Sequence, residues 1–148
     1  MKKKYAGYTL VEVLIVLLLA SLFVGLPVTV LPRFQENLSV HQFFNQFDKN
    51  ILLTQQSSLF SDAFTDIYKE AEGERRLVFD LDQDGRIILP LPPGLTVKDF
   101  PLIRFNKDTG STSRLAKIYF TWQSRKQQVV YTFLLGKGHY EKEIVSMP

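Results

Sequence analysis

Residues 2–28 read KKKYAGYTLVEVLIVLLLASLFVGLPV. Three lysines, a glycine and an aromatic residue precede an apolar run, and Glu12 stands inside that run. Across residues 8–31 it is the one strongly polar side chain; Thr9, Ser21 and Thr29 are milder. As an α-helix the run spans ~36 Å at ~1.5 Å per residue, enough to cross a bilayer. The lysines lie before it and few charges lie just after it. By the positive-inside rule the N-terminus then stays in the cytoplasm and the rest of the chain lies outside. A cleavable secretory signal has a shorter apolar core, of about 7–15 residues, and a small-residue cut site. ASLFVGLPV matches such a site poorly, and a lipoprotein cut needs a cysteine, which the chain lacks.

Glu12 decides between an ordinary anchor and something more specific. A carboxylate at the centre of a span costs about 2–3 kcal/mol on insertion scales, and less near an interface. One reading lets Glu12 snorkel to the cytoplasmic interface. The other gives it a cationic partner, and no Lys or Arg lies within the run. Cleavage after Gly7 would free the amine of Tyr8 at the end of the apolar helix. That amine on one subunit can meet Glu12 of a neighbour shifted by about one turn. Two charges that are each costly in lipid then form a pair that sets axial register.

The basic leader, Gly7, Tyr8 and TLVEVLIVLLLA together resemble the class III signal of type IV pilins and pseudopilins. The resemblance implies a cut between Gly7 and Tyr8 by a membrane-embedded prepilin peptidase and methylation of the Tyr8 amine. It also implies a role for Glu12 in assembly. The usual first mature residue of that family is Phe, and Tyr8 is a mild departure. On this reading residues 1–7 are the leader, 8–31 a membrane and filament-core helix, 32–60 an amphipathic helix, and 61–148 a loop and sheet domain. Pro27 and Pro32 are expected to kink or loosen the helix near its outer end, since each removes a backbone donor.

Beyond Pro32 the apolar residues Phe34, Leu38, Phe44, Phe47 and Ile51 recur at helical spacing, flanked by Phe43 and Leu52. Residues 61–76 read as a polar loop, with a helical turn around 65–72. LVFDL and RIILPL flank DQDG, a hairpin signal with Gly85 at the turn. PPGLTV, LIRF, AKIYFTW, QQVVYTFLL and a last strand in GKGHYEKEI complete a meander. The predicted fold class is α+β: a long N-terminal helix packed on a C-terminal antiparallel β-sheet. Val78, Ile87, Ile118, Phe120 and Val130 are expected to meet the helix.

DKNILLTQQSSL, IRFNKDTGSTSRLAKIYF and YTFLLGKGHYEKE resemble the competence pseudopilins of Gram-positive bacteria. The resemblance implies a minor subunit of the DNA-uptake pilus of natural transformation. Its partners would be other competence pseudopilins, prepilin peptidase and the membrane, with an assembly ATPase and platform protein acting indirectly. A minor pseudopilin of a type II-like secretion system shares every N-terminal feature. An uncleaved, membrane-tethered binding domain is the alternative from another class.

The net charge of +3 belongs to the leader, because fifteen basic and fifteen acidic residues follow Gly7. Charge is uneven after that: six basic and ten acidic residues in 33–97, nine and four in 98–148. For DNA the candidate contacts are Arg104, Lys107, Arg114, Lys117, Arg125 and Lys126, with Tyr119 and Trp122 for stacking. Solvated charge and strand packing are the plainer readings of these residues. DLDQDG begins like a calcium loop, but its twelfth position is Leu91 and no helix pattern flanks it, so it reads as a hairpin. His41 and His139 show no metal spacing, and neither a Ser/His/Asp constellation nor a P-loop occurs. No cofactor, metal site or enzymatic activity is expected.

Overall fold

The computed structural model describes residues 9–70, 75–136 and 138–147, with the backbone alone for 24–31. The chain divides into two compact units, Met1–Asn37 and Leu38–Pro148. Helix α1 runs from Leu10 to Phe60. Helical backbone continues through Pro27 and Pro32, each of which leaves the carbonyl four residues earlier without its usual donor.

Over residues 10–23 α1 carries apolar side chains around its circumference, with Glu12 its one charged residue. The described side chains of 10–23 are all exposed, the large apolar ones from 47% at Val13 to 79% at Leu10. A helix with no polar face is built for lipid or for other helices.

In the second unit α1 has one buried face, formed by Val40, Phe43, Phe44, Phe47 and Ile51. Phe34 and Leu38 were expected on this stripe, but both are exposed, as is the flanking Leu52. At about 100° per residue, all three point roughly 120–160° away from Val40. Beyond Ile51 the buried face continues in polar residues: Thr54, Ser57 and Ser58.

Among the described residues eight strands follow, in two antiparallel four-stranded sheets rather than one meander. They are β1 (Thr65–Lys69), β2 (Arg76–Asp80), β3 (Arg86–Pro90), β4 (Leu95–Val97), β5 (Ile103–Phe105), β6 (Ala116–Trp122), β7 (Gln127–Phe133) and β8 (Tyr140–Ser146). One sheet is ordered β3-β2-β1-β5 and the other β4-β6-β7-β8. β1 replaces the expected loop and helical turn. Its Thr65 and Ile67 are buried in alternation with less buried neighbours, as a half-buried strand requires. Placed between β2 and β5, it turns the first hairpin into a sheet.

Phe47 joins the layers. Its ring lies 5.6 Å from Phe79 in the first sheet, and 5.2 and 5.0 Å from Phe120 and Tyr131 in the second. These edge-to-face distances suit aromatic packing. Ile118 and Phe120 join the core as expected, and Ile87 packs against it. Val78 and Val130 are buried outside that core, because they alternate with Leu77, Phe79, Val129 and Tyr131, which enter it.

Candidate functional site

Gly7 and Tyr8 lie outside the described residues. Thr9 immediately precedes α1. The Glu12 amide lies 3.3 Å from Thr9 Oγ1, and the amides of Glu12 and Val13 lie 3.1 and 3.2 Å from the Thr9 carbonyl. Thr9 is thus the N-cap and Glu12 the third helical residue, the spacing of a capping box. Glu12 also sits in the first turn, where a carboxylate is favoured by the helix dipole. Thr-x-x-Glu before an apolar run is a recognisable helix start, and this local role was missed in reading Glu12 as an assembly residue alone. Among the described residues no helix is long and apolar enough to cross a membrane. The described apolar side chains of 10–23 cover about 21 Å of helix, against about 30 Å of hydrocarbon.

The six basic candidates fall at four separate places. Arg104 on β5 makes a two-point bond to Asp66 on β1, at 2.8 and 2.7 Å. That bond raises the pKa of its guanidinium. Lys107 is exposed in the 106–112 loop. Arg125 and Lys126 sit at the β6–β7 turn, and Arg125 lies 4.6 Å over the Trp122 ring. Arg114 and Lys117 share a groove of about 880 Å³ with Lys69, Lys98 and Tyr119. Glu70 and Asp99 also line it, so its charge is mixed. Tyr119 is 43% exposed and accessible for stacking, whereas Trp122 is 3% exposed and is not. The indole Nε1 finds no hydrogen-bond partner among the described residues.

Two of the three acids of the DLDQDG hairpin bond to other side chains. Asp80 pairs with Arg86 at 3.0 Å, and Asp84 accepts from Ser57 of α1 at 2.9 Å. Ser57 also lies 3.0 Å from the Leu81 carbonyl, which ties the hairpin to the helix.

A second tie closes over the end of α1. Gln55 donates to the Gly110 carbonyl at 3.0 Å, and the Asp108 amide donates to the Ser58 carbonyl at 3.0 Å. Gly138 lies against both Gln55 and the Gly110 carbonyl. Gly110 and Gly138 have φ of +58° and +63°, a conformation that suits glycine. A third tie runs from Asp48 to β7 and β8. Its carboxylate accepts from the Tyr131 hydroxyl at 2.7 Å and from Lys142 Nζ at 2.8 Å. Burial and then this bond raise the pKa of Tyr131 well above the ordinary phenol value. Burial and then the Asp48 charge push Tyr140 up to about 12.

Residues 2–26 match the family model described as the prokaryotic N-terminal methylation motif. No curated protein and no solved structure matches the chain.

Proposed function

We propose that this chain, whose N-terminus is that of a type IV prepilin-like protein, is a minor pseudopilin of a DNA-uptake pilus. Prepilin peptidase cuts after Gly7, the new Tyr8 amine is methylated, and the apolar part of α1 enters the core of a filament built with other pseudopilins. Before assembly that helix holds the protein in the cell membrane, with the N-terminus cytoplasmic and the second unit outside. The role is structural rather than enzymatic, and the assembly ATPase and platform protein act from elsewhere.

The observation that carries the reading is the motif over residues 2–26, within which the helical residues 10–23 expose their apolar side chains. Glu12 keeps both roles: its amide meets the Thr9 cap, and its carboxylate remains exposed for the amine of a neighbour. The competence assignment draws on a further convergence. The three downstream stretches that resemble competence pseudopilins supply Gln55, Gly110 and Gly138, and these meet at the end of α1. Chain segments distant in sequence are thus constrained by one contact.

Mass spectrometry of protein extracted from membranes that contain the peptidase tests the processing. A mature N-terminus at Tyr8, with or without a methyl group, is expected; an intact leader would make the chain a tethered domain. Deletion of the gene is expected to abolish transformation and leave protein secretion unchanged. The reverse result would assign it to a secretion system.

A further inference from the structure

The two sheets have four edges, and three of them are protected. On β4 the Leu95 carbonyl accepts from Arg75 at 2.8 Å, and the Leu95 amide donates to the Pro92 carbonyl at 3.1 Å. On β5 the bridge between Phe105 and Thr112 covers the edge. β3 ends in Pro90, which has no amide hydrogen, and opens with a charged residue, Arg86. Short strands, prolines and covered edges are the ordinary ways of preventing further pairing.

β8 has no proline, and its seven residues pair with β7 in an unbroken register. Hydrogen bonds from Leu134 to His139 and from Met147 to Lys126 bracket the ladder. Antiparallel alternation then turns the backbone groups of Glu141, Glu143 and Val145 toward β7. Those of Tyr140, Lys142, Ile144 and Ser146 point away from the sheet. On its helix-facing side β8 carries Ile144, 65% exposed, beside Lys142, which Asp48 already neutralises. On the opposite side Glu141 and Glu143 are exposed and without a partner among the described residues. Directly across from them on β7 stand Thr132 and Val130, which carry no charge.

We infer that β8 is a docking edge for an antiparallel strand of another protein, with cations opposite Glu141 and Glu143 and an apolar residue opposite Ile144. Cross-strand opposite charges stabilise such pairs, and like charges directly opposite destabilise them. A second copy of β8 does not fit. Two-fold antiparallel pairing sets outward-pointing residues against outward-pointing residues, so Lys142, the one cation of the strand, never faces either glutamate. This pairing adds to assembly through α1 and does not depend on it.

The test uses the full chain in detergent micelles, with amide NMR shifts as the readout. The probe is a capped peptide as long as β8, with lysines opposite Glu141 and Glu143 and valine opposite Ile144. A second peptide carries glutamates in place of the lysines. The lysine peptide should shift the amides of Lys142 and Ile144 and bind at least about tenfold more tightly than the glutamate peptide. The double variant Glu141→Lys/Glu143→Lys, at two exposed positions, should reverse that preference. Ile144→Pro removes a donor on the free side alone and should abolish binding with the β7 ladder intact. Absence of shifts at β8, equal binding of both peptides, or a preference unchanged in the double variant would overturn the inference.

Discussion

At the scale of single residues, Glu12 and Gly138 show how one position can carry more than one demand. Glu12 combines a place in the helix cap with a carboxylate in an apolar segment. The two contributions separate by substitution. Glu12→Gln keeps a polar side chain at the third helical position and removes the charge. We expect membrane insertion and helix content to stay at wild-type levels while incorporation into filaments drops at least about tenfold, the equivalent of about 1.4 kcal/mol. Co-sedimentation of the variant with sheared filaments measures this, and unchanged incorporation would leave the cap as the whole explanation of Glu12. At Gly138 a Cβ would collide with Gln55 and with the Gly110 carbonyl, and the positive φ disfavours any side chain. Gly138→Ala is expected to destabilise the second unit by about 1–3 kcal/mol, read as a lowered denaturant midpoint. An unchanged midpoint would show that the loops can move apart freely.

At the scale of elements, legibility in the sequence followed the strength of local chemistry. The β2–β3 hairpin is plain because DQDG stands between two apolar runs, β6 because it alternates over its full length, and β7 because VVYTF is a run of β-branched and aromatic residues. β1 is hidden because TDIYK, with two charges in five residues, lies in a polar stretch; its pairing partner β5 lies far along the chain. The buried face of α1 is legible as far as Ile51 and invisible at Thr54, Ser57 and Ser58. Those polar residues are buried because their hydroxyls bond carbonyls of the helix or the hairpin. The basic residues named from sequence scatter for a related reason: spacing along strands does not reveal which carboxylate, such as Asp66, stands opposite.

The Asp48 tie between α1, β7 and β8 has a consequence in alkali. Tyr131 holds its proton more tightly in the folded chain than in the unfolded one, because the buried phenol donates to Asp48. Its contribution to stability is therefore complete below the unfolded value of about 10 and declines as pH rises above it. The fall is about 1.4 kcal/mol per pH unit for this one group. Tyr140, raised to about 12, acts in the same direction. Urea midpoints are expected to be flat from pH 8 to 9.5 and to fall above 10. Tyr131→Phe should be less stable at pH 8 and should show a shallower fall. An equal slope in that variant would place the alkaline transition elsewhere.

At the scale of the whole molecule, the two units have opposite solvent requirements. Residues 10–23 expose Leu, Val and Ile, and nothing among the described residues covers them. The unit Leu38–Pro148 instead closes its own core around Phe47, Phe79, Phe120 and Tyr131. The first buried residue of its helix, Val40, lies inside its boundary. A fragment that begins at Leu38 thus retains the buried stripe, both sheets and the three ties to α1. It should remain soluble without detergent and unfold in one cooperative transition, with the near-ultraviolet signal of Trp122 and the packed rings lost together with the far-ultraviolet signal. Phe47→Ala in this fragment removes the ring shared by both sheets and should cost about 3–5 kcal/mol. Separate transitions for the two signals, or a loss well under 1 kcal/mol, would show that the sheets do not depend on this helix for a common core.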